Sequence, residues 1–461
     1  MIVRGARLVA IIGLGGATLA ACLPTRSAVF GPVDQEVDRR LGLSVEWRDS
    51  SSDARVPAAV VSLLGSPLTL DAVLRIAVAN NRHLQAEYDG LGIAAGEIAE
   101  ATVLPPTSVD LNHKYAVRGS GSETELDVVQ DILDLLQIGQ RRGIASAELH
   151  GAQARAIAAT VDLAADVEVA FYDVVAAQQD LELRQTAFDA ASASAEVIER
   201  MHAAGNTSDL ALARERDLRE QTRIELARAQ VAVEVSREGL NRLLGLSGAH
   251  TEWSVAGRLP DVPADAPELD DLEPQAIANS LDLVALRADA EAAAGRVGYA
   301  RLRALLPELG VGVSVARRDA DTWEAGPALR VGLPIFDQQQ GPRAKARAQL
   351  HRARNEHTAT AVDVRATARA IRQRALGAHA EARHLLDVVL PLRQRVLDET
   401  LLQYNAMNAT TFELLAARRE LVDAGRQYID AVRRYWSAMA AATALRRGGM
   451  PASHQESEES P

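Results

Sequence analysis

The chain is poor in the residues that make a thick globular core. Only 3% of its 461 residues are aromatic, and 48% belong to the hydrophobic set. Alanine dominates that set, which suits long helices packed closely through small side chains. There is one cysteine, so an internal disulfide is excluded. After the N-terminal leader no apolar run reaches the 18 or so residues of a membrane-crossing helix. Basic residues are in deficit, with 50 Lys and Arg against 62 Asp and Glu and a net charge of −12. That balance argues against nucleic acid as the main partner. Proline is absent between Pro106 and Pro260, which leaves room for very long helices. No P-loop, His-Glu-x-x-His or Gly-x-Ser-x-Gly pattern occurs, so the expectation is a protein that is not an enzyme and holds neither metal nor cofactor.

What is present is a duplication. Pro105 matches Pro307, Gly139 and Arg141 match Gly341 and Arg343, and Asn206 matches Asn408, all at an offset of 202 residues. So large a period rules out short solenoid repeats and gives two copies of one supersecondary unit. Each copy reads as helix, strand pair, one very long helix, polar turn, and a second long helix.

The single cysteine closes a secretory leader. Arg4 and Arg7 precede an apolar stretch from Leu8 to Leu14, and small residues follow up to Leu19-Ala20-Ala21-Cys22. This looks like a bacterial lipobox, with Cys22 becoming the lipid-modified (palmitate-bearing) mature N-terminus. The lipoproteins this leader resembles are retained in the inner membrane when Asp follows the cysteine, so the resemblance implies the outer membrane for Leu23. The domain plan is a signal peptide (1–21), an extended tail (22–66), a first repeat (67–247), a linker (248–273), a second repeat (274–447) and a disordered acidic tail (448–461).

Within the repeats, a helix opens at Thr69-Leu70-Asp71-Ala72 and continues through Ala99 to Pro105-Pro106. Val109, Leu111, Tyr115 and Val117 then alternate with polar residues. Leu309, Val311, Val313 and Val315, and Leu329, Val331, Leu333 and Ile335, alternate in the same way with small or polar residues such as Gly310, Ser314 and Arg330. Period-two alternation marks a sheet with one apolar face. In a barrel it separates lipid from a water-filled lumen. The stretch near 125–136 mixes Asp127, Asp131 and Asp134 with apolar residues, so its faces stay open. The first long helix runs from Arg142 to His202, on the order of 90 Å, with Val167, Ala170, Phe171, Val174, Ala177 and Leu181 on one face. After Gly205-Asn206-Thr207-Ser208 another continues to Leu246, with Ile224, Ala227, Val231 and Val235 in line. The second copy repeats this from Pro342 to Tyr404 and on to Arg447. There Leu414, Ala417, Leu421, Ala424, Tyr428, Ala431, Tyr435 and Ala438 form a heptad seam. Pro391 should bend the helix before the second turn. His379 and His384 read as surface residues.

Leu68-Thr69-Leu70-Asp71-Ala72, Gly205-Asn206-Thr207-Ser208-Asp209-Leu210, Leu240-Asn241-Arg242-Leu243-Leu244-Gly245-Leu246 and Gly332-Leu333-Pro334-Ile335-Phe336-Asp337, in that order, resemble the TolC-type outer-membrane efflux channels, in their lipoprotein-anchored branch. The resemblance implies a mainly α fold with a small β part. It implies a homotrimer sharing a 12-strand barrel, four strands from each chain, that continues into a periplasmic helical barrel. Physics supports sharing, because four strands alone leave open edges in lipid. The implied partners are a periplasmic adaptor protein, an inner-membrane pump of RND or ABC type, and outer-membrane lipid. The implied function is a passive exit duct in a tripartite efflux system. The outer-membrane part of type I protein secretion is one alternative, and a pore-less lipid-anchored scaffold is another.

The two turns are the candidate sites. Gly205, Asn206, Thr207, Ser208 and Asp209, with Met407, Asn408 and Thr410, would form the periplasmic tip that docks the adaptor. In the family's tip pattern Met407 takes a glycine's place and Tyr404 that of a tip tyrosine. Glu413 takes the place of an acid lining the pore entrance. The family's locking arginine is Ala409 here, and the first copy's acidic place is Ala211. Thr410-x-x-Glu413 is equally a capping box.

Overall fold

The computed structural model describes residues 23–48, 58–115, 117, 122–318, 322–335 and 338–451. The leader, Cys22 and residues 452–461 lie outside them. Two compact units form. One holds 87–156 and 282–361 with the N-terminal segment to Gln35, and the other holds 36–86, 157–281 and 362 onward.

The elements follow the duplicated order. Helices α1 (Arg26–Leu41) and α2 (Ala58–Leu64) precede α3 (Leu70–Asn80) and α4 (Arg82–Thr102). Strands β1 (Ser108–Tyr115) and β2 (Ser122–Asp131) come next, then α5 (Ile132–Leu136). The first hairpin is α6 (Ile138–Ala203) and α7 (Asp209–Leu244). The second copy comprises α8 (Leu272–Asn279), α9 (Leu281–Leu305), β3 (Leu309–Arg318), β4 (Thr322–Val331), α10 (Gln340–His384), a π-turn (Leu385–Val389), α11 (Leu390–Asn405) and α12 (Thr411–Arg446). No helix among the described residues is long and apolar enough to cross a membrane.

Several expectations need correction. The supposed extended tail contains α1, because Val29, Val33 and Val37 recur every four residues and are buried. Their burial outweighs the backbone hydrogen bond that Pro32 cannot donate. The helix expected from Leu70 to Ala99 breaks at Asn81, whose ψ of 121° is extended. Asn81 Oδ1 accepts from Leu84 N–H at 3.0 Å, and its Nδ2 donates to Leu243 O at 2.8 Å. Asn80 Nδ2 donates to Leu244 O and Gly245 O at 2.9 and 2.8 Å. The two amides thus satisfy the carbonyls left free at the end of α7. Gly245 has φ +66°, and a Cβ there would lie 2.7 Å from Asn80 O. In the second copy Asn279 Nδ2 donates to Arg446 O at 2.8 Å. Gly448 closes α12 at φ +89°, and Met450 N–H donates to Asp162 at 2.8 Å. The C-terminal tail is therefore held as far as Met450.

The second unit is held by separate apolar clusters, a smaller one around Leu272, Ile371 and Leu445 and a larger one that draws on both copies. Val167, Phe171 and Val174 of α6 meet Leu240 and Leu244 of α7, Ala378 and Ala382 of α10, and Ala431 and Tyr435 of α12. The inter-repeat linker packs into it: Trp253 Nε1 donates to Asn241 Oδ1 at 2.8 Å, and Trp436 Nε1 to Pro260 O at 2.8 Å. His379 is buried rather than on the surface, bonded through Nε2 to Pro263 O at 2.9 Å. His384 is exposed. The α12 seam is buried at Ala417, Ala424, Ala431 and Tyr435. On α7 the buried line is Leu226, Ala229, Val233, Leu240 and Leu244. The stripe Ile224, Val231 and Val235 is exposed on the single chain.

Candidate functional site: a two-faced sheet and two hairpin turns

The four strands form one antiparallel sheet in the order β1-β2-β3-β4. Its register sorts the side chains. Leu111 stands opposite Leu126, Val109 opposite Val128, Val128 opposite Val313, and Val311 opposite Leu329. These residues share one face, and all of them are exposed on the single chain. The same register settles the faces of β2: Leu126 and Val128 lie on the apolar side, while Glu123, Glu125 and Asp127 lie on the other. β2 ends at Asp131, whose Oδ1 caps α5 by accepting from Asp134 N–H at 3.0 Å. β4 ends at Val331, short of the expected Leu333 and Ile335. Pro334 offers no N–H, and β3 begins only at Leu309.

The second face is polar and cross-linked. Lys114 Nζ lies 3.4 Å from Glu125, Arg318 Nε 3.3 Å from Glu123, and Arg330 Nη2 3.1 Å from Asp110. The last pair joins the two edge strands. In a flat sheet those edges would stand roughly 14 Å apart, so their side chains meet only if the sheet curls with its polar face concave. Asp127, set between Asp110 and Ser314 in register, makes no ion pair among the described residues. Tyr115 and Trp323 are exposed near the two hairpin loops, where aromatic residues suit a membrane interface.

The hairpin turns share one geometry. In the first, Asn206 N–H donates to Met201 O at 2.8 Å and Gly205 N–H to His202 O at 2.9 Å. In the second, Asn408 N–H donates to Gln403 O at 2.8 Å and Met407 N–H to Tyr404 O at 3.0 Å. Both are Schellman motifs, which place one residue in the left-handed region. Gly205 takes that place at φ +77°. Met407 takes it at φ +63° with its side chain 95% exposed. Thr207 lies in the first turn just before its cap. Ser208 caps α7 by accepting from Ala211 N–H at 3.2 Å, and Asp209 lies 2.7 Å from His202 Nε2. Thr410 caps α12 in a full capping box: its N–H donates to Glu413 Oε2 at 2.7 Å, and its Oγ1 accepts from Glu413 N–H at 3.3 Å. The Thr410 backbone bond, then its hydroxyl, hold the exposed Glu413 carboxyl below the usual carboxylate range. Tyr404 is half-buried. The starts of α7 and α12 adjoin, with the Arg214 guanidinium 5.5 Å from the Phe412 ring centre.

Sequence reasoning missed the concave ion pair Asp110–Arg330, the asparagine clamps at Asn80 and Asn279, and a buried Arg184 in the first hairpin. Only the clamps left a signal, an asparagine just before a helix start in both copies.

No family model matches the chain. In sequence it is 28% identical over 359 residues to the cobalt-zinc-cadmium resistance protein CzcC of Cupriavidus metallidurans, covering 77% of this chain and 84% of that protein. In structure it is similar to the outer membrane protein VceC of Vibrio cholerae (TM-score 0.68, 17% identity, 82% of this chain and 96% of that one). It is also similar to the Campylobacter jejuni CmeC outer membrane channel (TM-score 0.65, 15% identity, 83% and 86%). The expected mainly helical fold with a four-strand sheet is borne out, and so is the resemblance read from the residues.

Proposed function

We propose that this chain, which has the fold of the TolC-type outer-membrane efflux channels, is one third of a passive exit duct. It would receive substrates from an inner-membrane pump through a periplasmic adaptor. The curled sheet carries the reading: its convex face is apolar, its concave face is charged, and both its edges are open. An open edge costs several kcal/mol per unpaired group in lipid. Copies of the same chain remove that cost by closing a barrel. The exposed stripe Ile224, Val231 and Val235 on α7 supports the same conclusion, because a second copy can cover it. Energy comes from the pump, and the chain itself does no chemistry. A pore-less scaffold has no use for such a sheet.

The turns at 203–210 and 405–412 would meet the adaptor, and Cys22 would carry a lipid anchor in the outer membrane. Fatty-acid labelling should mark the native protein and not Cys22→Ser. Labelling of neither form removes the anchor without touching the barrel. We infer divalent metal cations as cargo, supported by the sequence relative and by the acidic excess on the concave face. A strain lacking the protein should lose tolerance to zinc, cobalt or cadmium salts, and unchanged tolerance sinks that cargo. The duct itself is tested by adding purified protein to a planar lipid bilayer. Stepwise conductance from a trimer is expected, and an assembled trimer that never conducts rules the duct out.

A further inference from the structure

The convex face of the sheet changes character at one level. The rows through Val313 and Val315 are apolar across all four strands. The next row toward the hairpin loops is Trp323–Arg317–Thr124–His113. Tyr115, at the end of β1, lies one row further. Arg317 stands eight positions after Leu309 on β3, about 27 Å at the usual strand rise. The tilt of a barrel strand shortens that to about 20 Å of height, close to the 25 Å or so of an outer-membrane apolar band. The mixed row therefore stands at the loop-side margin of that band.

Charge sorts by face at this level. Arg318 is on the concave side, where Glu123 and Glu324 lie 3.3 and 3.5 Å from it. On the convex side no strand position carries an acid, although the chain as a whole has a net charge of −12. Arg317 is exposed, with its guanidinium 5.5 Å from the Trp323 ring centre. His113 Nδ1 lies 2.7 Å from Thr124 Oγ1, and the His113 ring meets Tyr115 edge to face at 4.4 Å. A cation on a lipid face is costly at midplane and tolerated at the interface. There it is favourable when it meets an anion. A guanidinium fits a phosphate through two parallel hydrogen bonds, and tryptophan and tyrosine hold the row at headgroup level. With no acid in the row to receive an ammonium, the fitting headgroup carries phosphate without an amine.

We infer that the row Trp323–Arg317–Thr124–His113 is a lipid-headgroup site, in which Arg317 binds a phosphate monoester of an anionic glycolipid in the outer leaflet. Neighbouring strands lie about 4.8 Å apart, so Thr124 reaches the same phosphate and His113 extends the row by one strand. This rests on the barrel reading above, which sets the hairpin loops at the cell surface. Each chain of a trimer then carries one such site.

The test is native mass spectrometry of the full-length protein in detergent, exchanged against lipid A bearing its phosphates and against the same lipid dephosphorylated. The trimer should hold the phosphorylated form about ten-fold more tightly, the worth of one charge-assisted pair. Arg317→Gln with His113→Gln should abolish that preference while the trimer persists in the same spectrum. Arg318→Gln, on the concave face, should keep it. The native comparison of two lipids needs no variant. Equal retention of both lipids, a preference unchanged in the double variant, or an equal loss in Arg318→Gln overturns the site. Displacement of the lipid by inorganic phosphate at millimolar concentration would make it a free-anion site and overturn the lipid assignment. A trimer without the preference brings down this site alone, whereas a chain that never assembles brings down the barrel and the site together.

Discussion

The two copies of the repeat share a backbone and differ in what fills it. On the sheet's concave side, β1 and β2 carry Asp110, Lys114, Glu123, Glu125 and Asp127. β3 and β4 present Gly310, Gly312, Ser314, Ala316, Gly326 and Ala328 among a few arginines and Glu324. In the hairpins, the first seam reads Glu215, Arg219 and Thr222 where the second reads Ala417, Leu421 and Ala424. Glu215 is buried, and its Oε2 has no hydrogen-bond partner. Near its tip the first copy relies on ion pairs such as those of Glu199 with Arg216 and Arg219, and the second on close contact of small side chains. Duplication fixed the frame, and each copy then solved its interior differently. A polar interior is costly unless paired, whereas an alanine seam is inexpensive but sensitive to volume.

The largest contrast is expected in the shared core. Tyr435 is 2% exposed and its counterpart Val233 7%. Tyr435→Ala should cost about 3–5 kcal/mol and Val233→Ala about 1–2 kcal/mol, because more buried volume is lost. Chemical denaturation measures both, and equal losses would mean that the copies share the core load.

Next come the two faces of the sheet. Val313→Asp should cost membrane stability, somewhat less than the about 2–4 kcal/mol that Arg or Lys costs at the midplane of a lipid face. Ser314→Asp, on the concave face beside Glu125, should cost far less. Equal damage to barrel folding in lipid vesicles contradicts the assignment of faces.

The long helices and their turns were legible because they obey one strong rule each: a sustained 3.6 period, free of proline in the first copy and interrupted by Pro391 in the second, then a polar break at Asn206 or Asn408. β3 was legible because Val311, Val313 and Val315 alternate with glycine and serine. β2 was not, because Asp127 and Asp131 sit at odd positions and only the register with β1 and β3 shows that odd means concave. α1 was missed because Pro32 masks the spacing of Val29, Val33 and Val37. At the candidate site the polar turns and the capping box were readable from local residues, whereas the left-handed place of Met407 was not, because a methionine does not signal it. Curvature was not, since Asp110 and Arg330 are 220 positions apart.

The turns give a smaller contrast. Gly205 and Met407 hold the same left-handed place, which costs a side-chain-bearing residue about 1–2 kcal/mol. Met407→Gly should therefore raise thermal stability by about 1 kcal/mol, and Gly205→Ala should lower it by a similar amount. If Met407→Gly leaves stability unchanged but weakens adaptor binding, the exposed methionine is kept for contact and its strain is relieved elsewhere.

The smallest effect on stability, and the sharpest on function, belongs to Glu413. The first copy has no equivalent, since Ala211 stands in its place. Its carboxyl is depressed below the usual range by the Thr410 bonds. A depressed folded value means that the cap contributes fully above the unfolded value near 4.5. It fades as pH falls through the lower folded value. Native protein should lose this contribution on acidification below about pH 4.5, whereas Glu413→Gln, which keeps a hydrogen-bonding side chain, should not show that loss. Three copies of Glu413 around one axis would also attract cations into a narrow mouth. Glu413→Gln should then lower cation preference in single-channel recordings while leaving the turn folded. Full cation preference in Glu413→Gln would make Glu413 a cap alone. Selectivity would then fall to the concave face of the sheet, where Asp127 has no partner among the described residues.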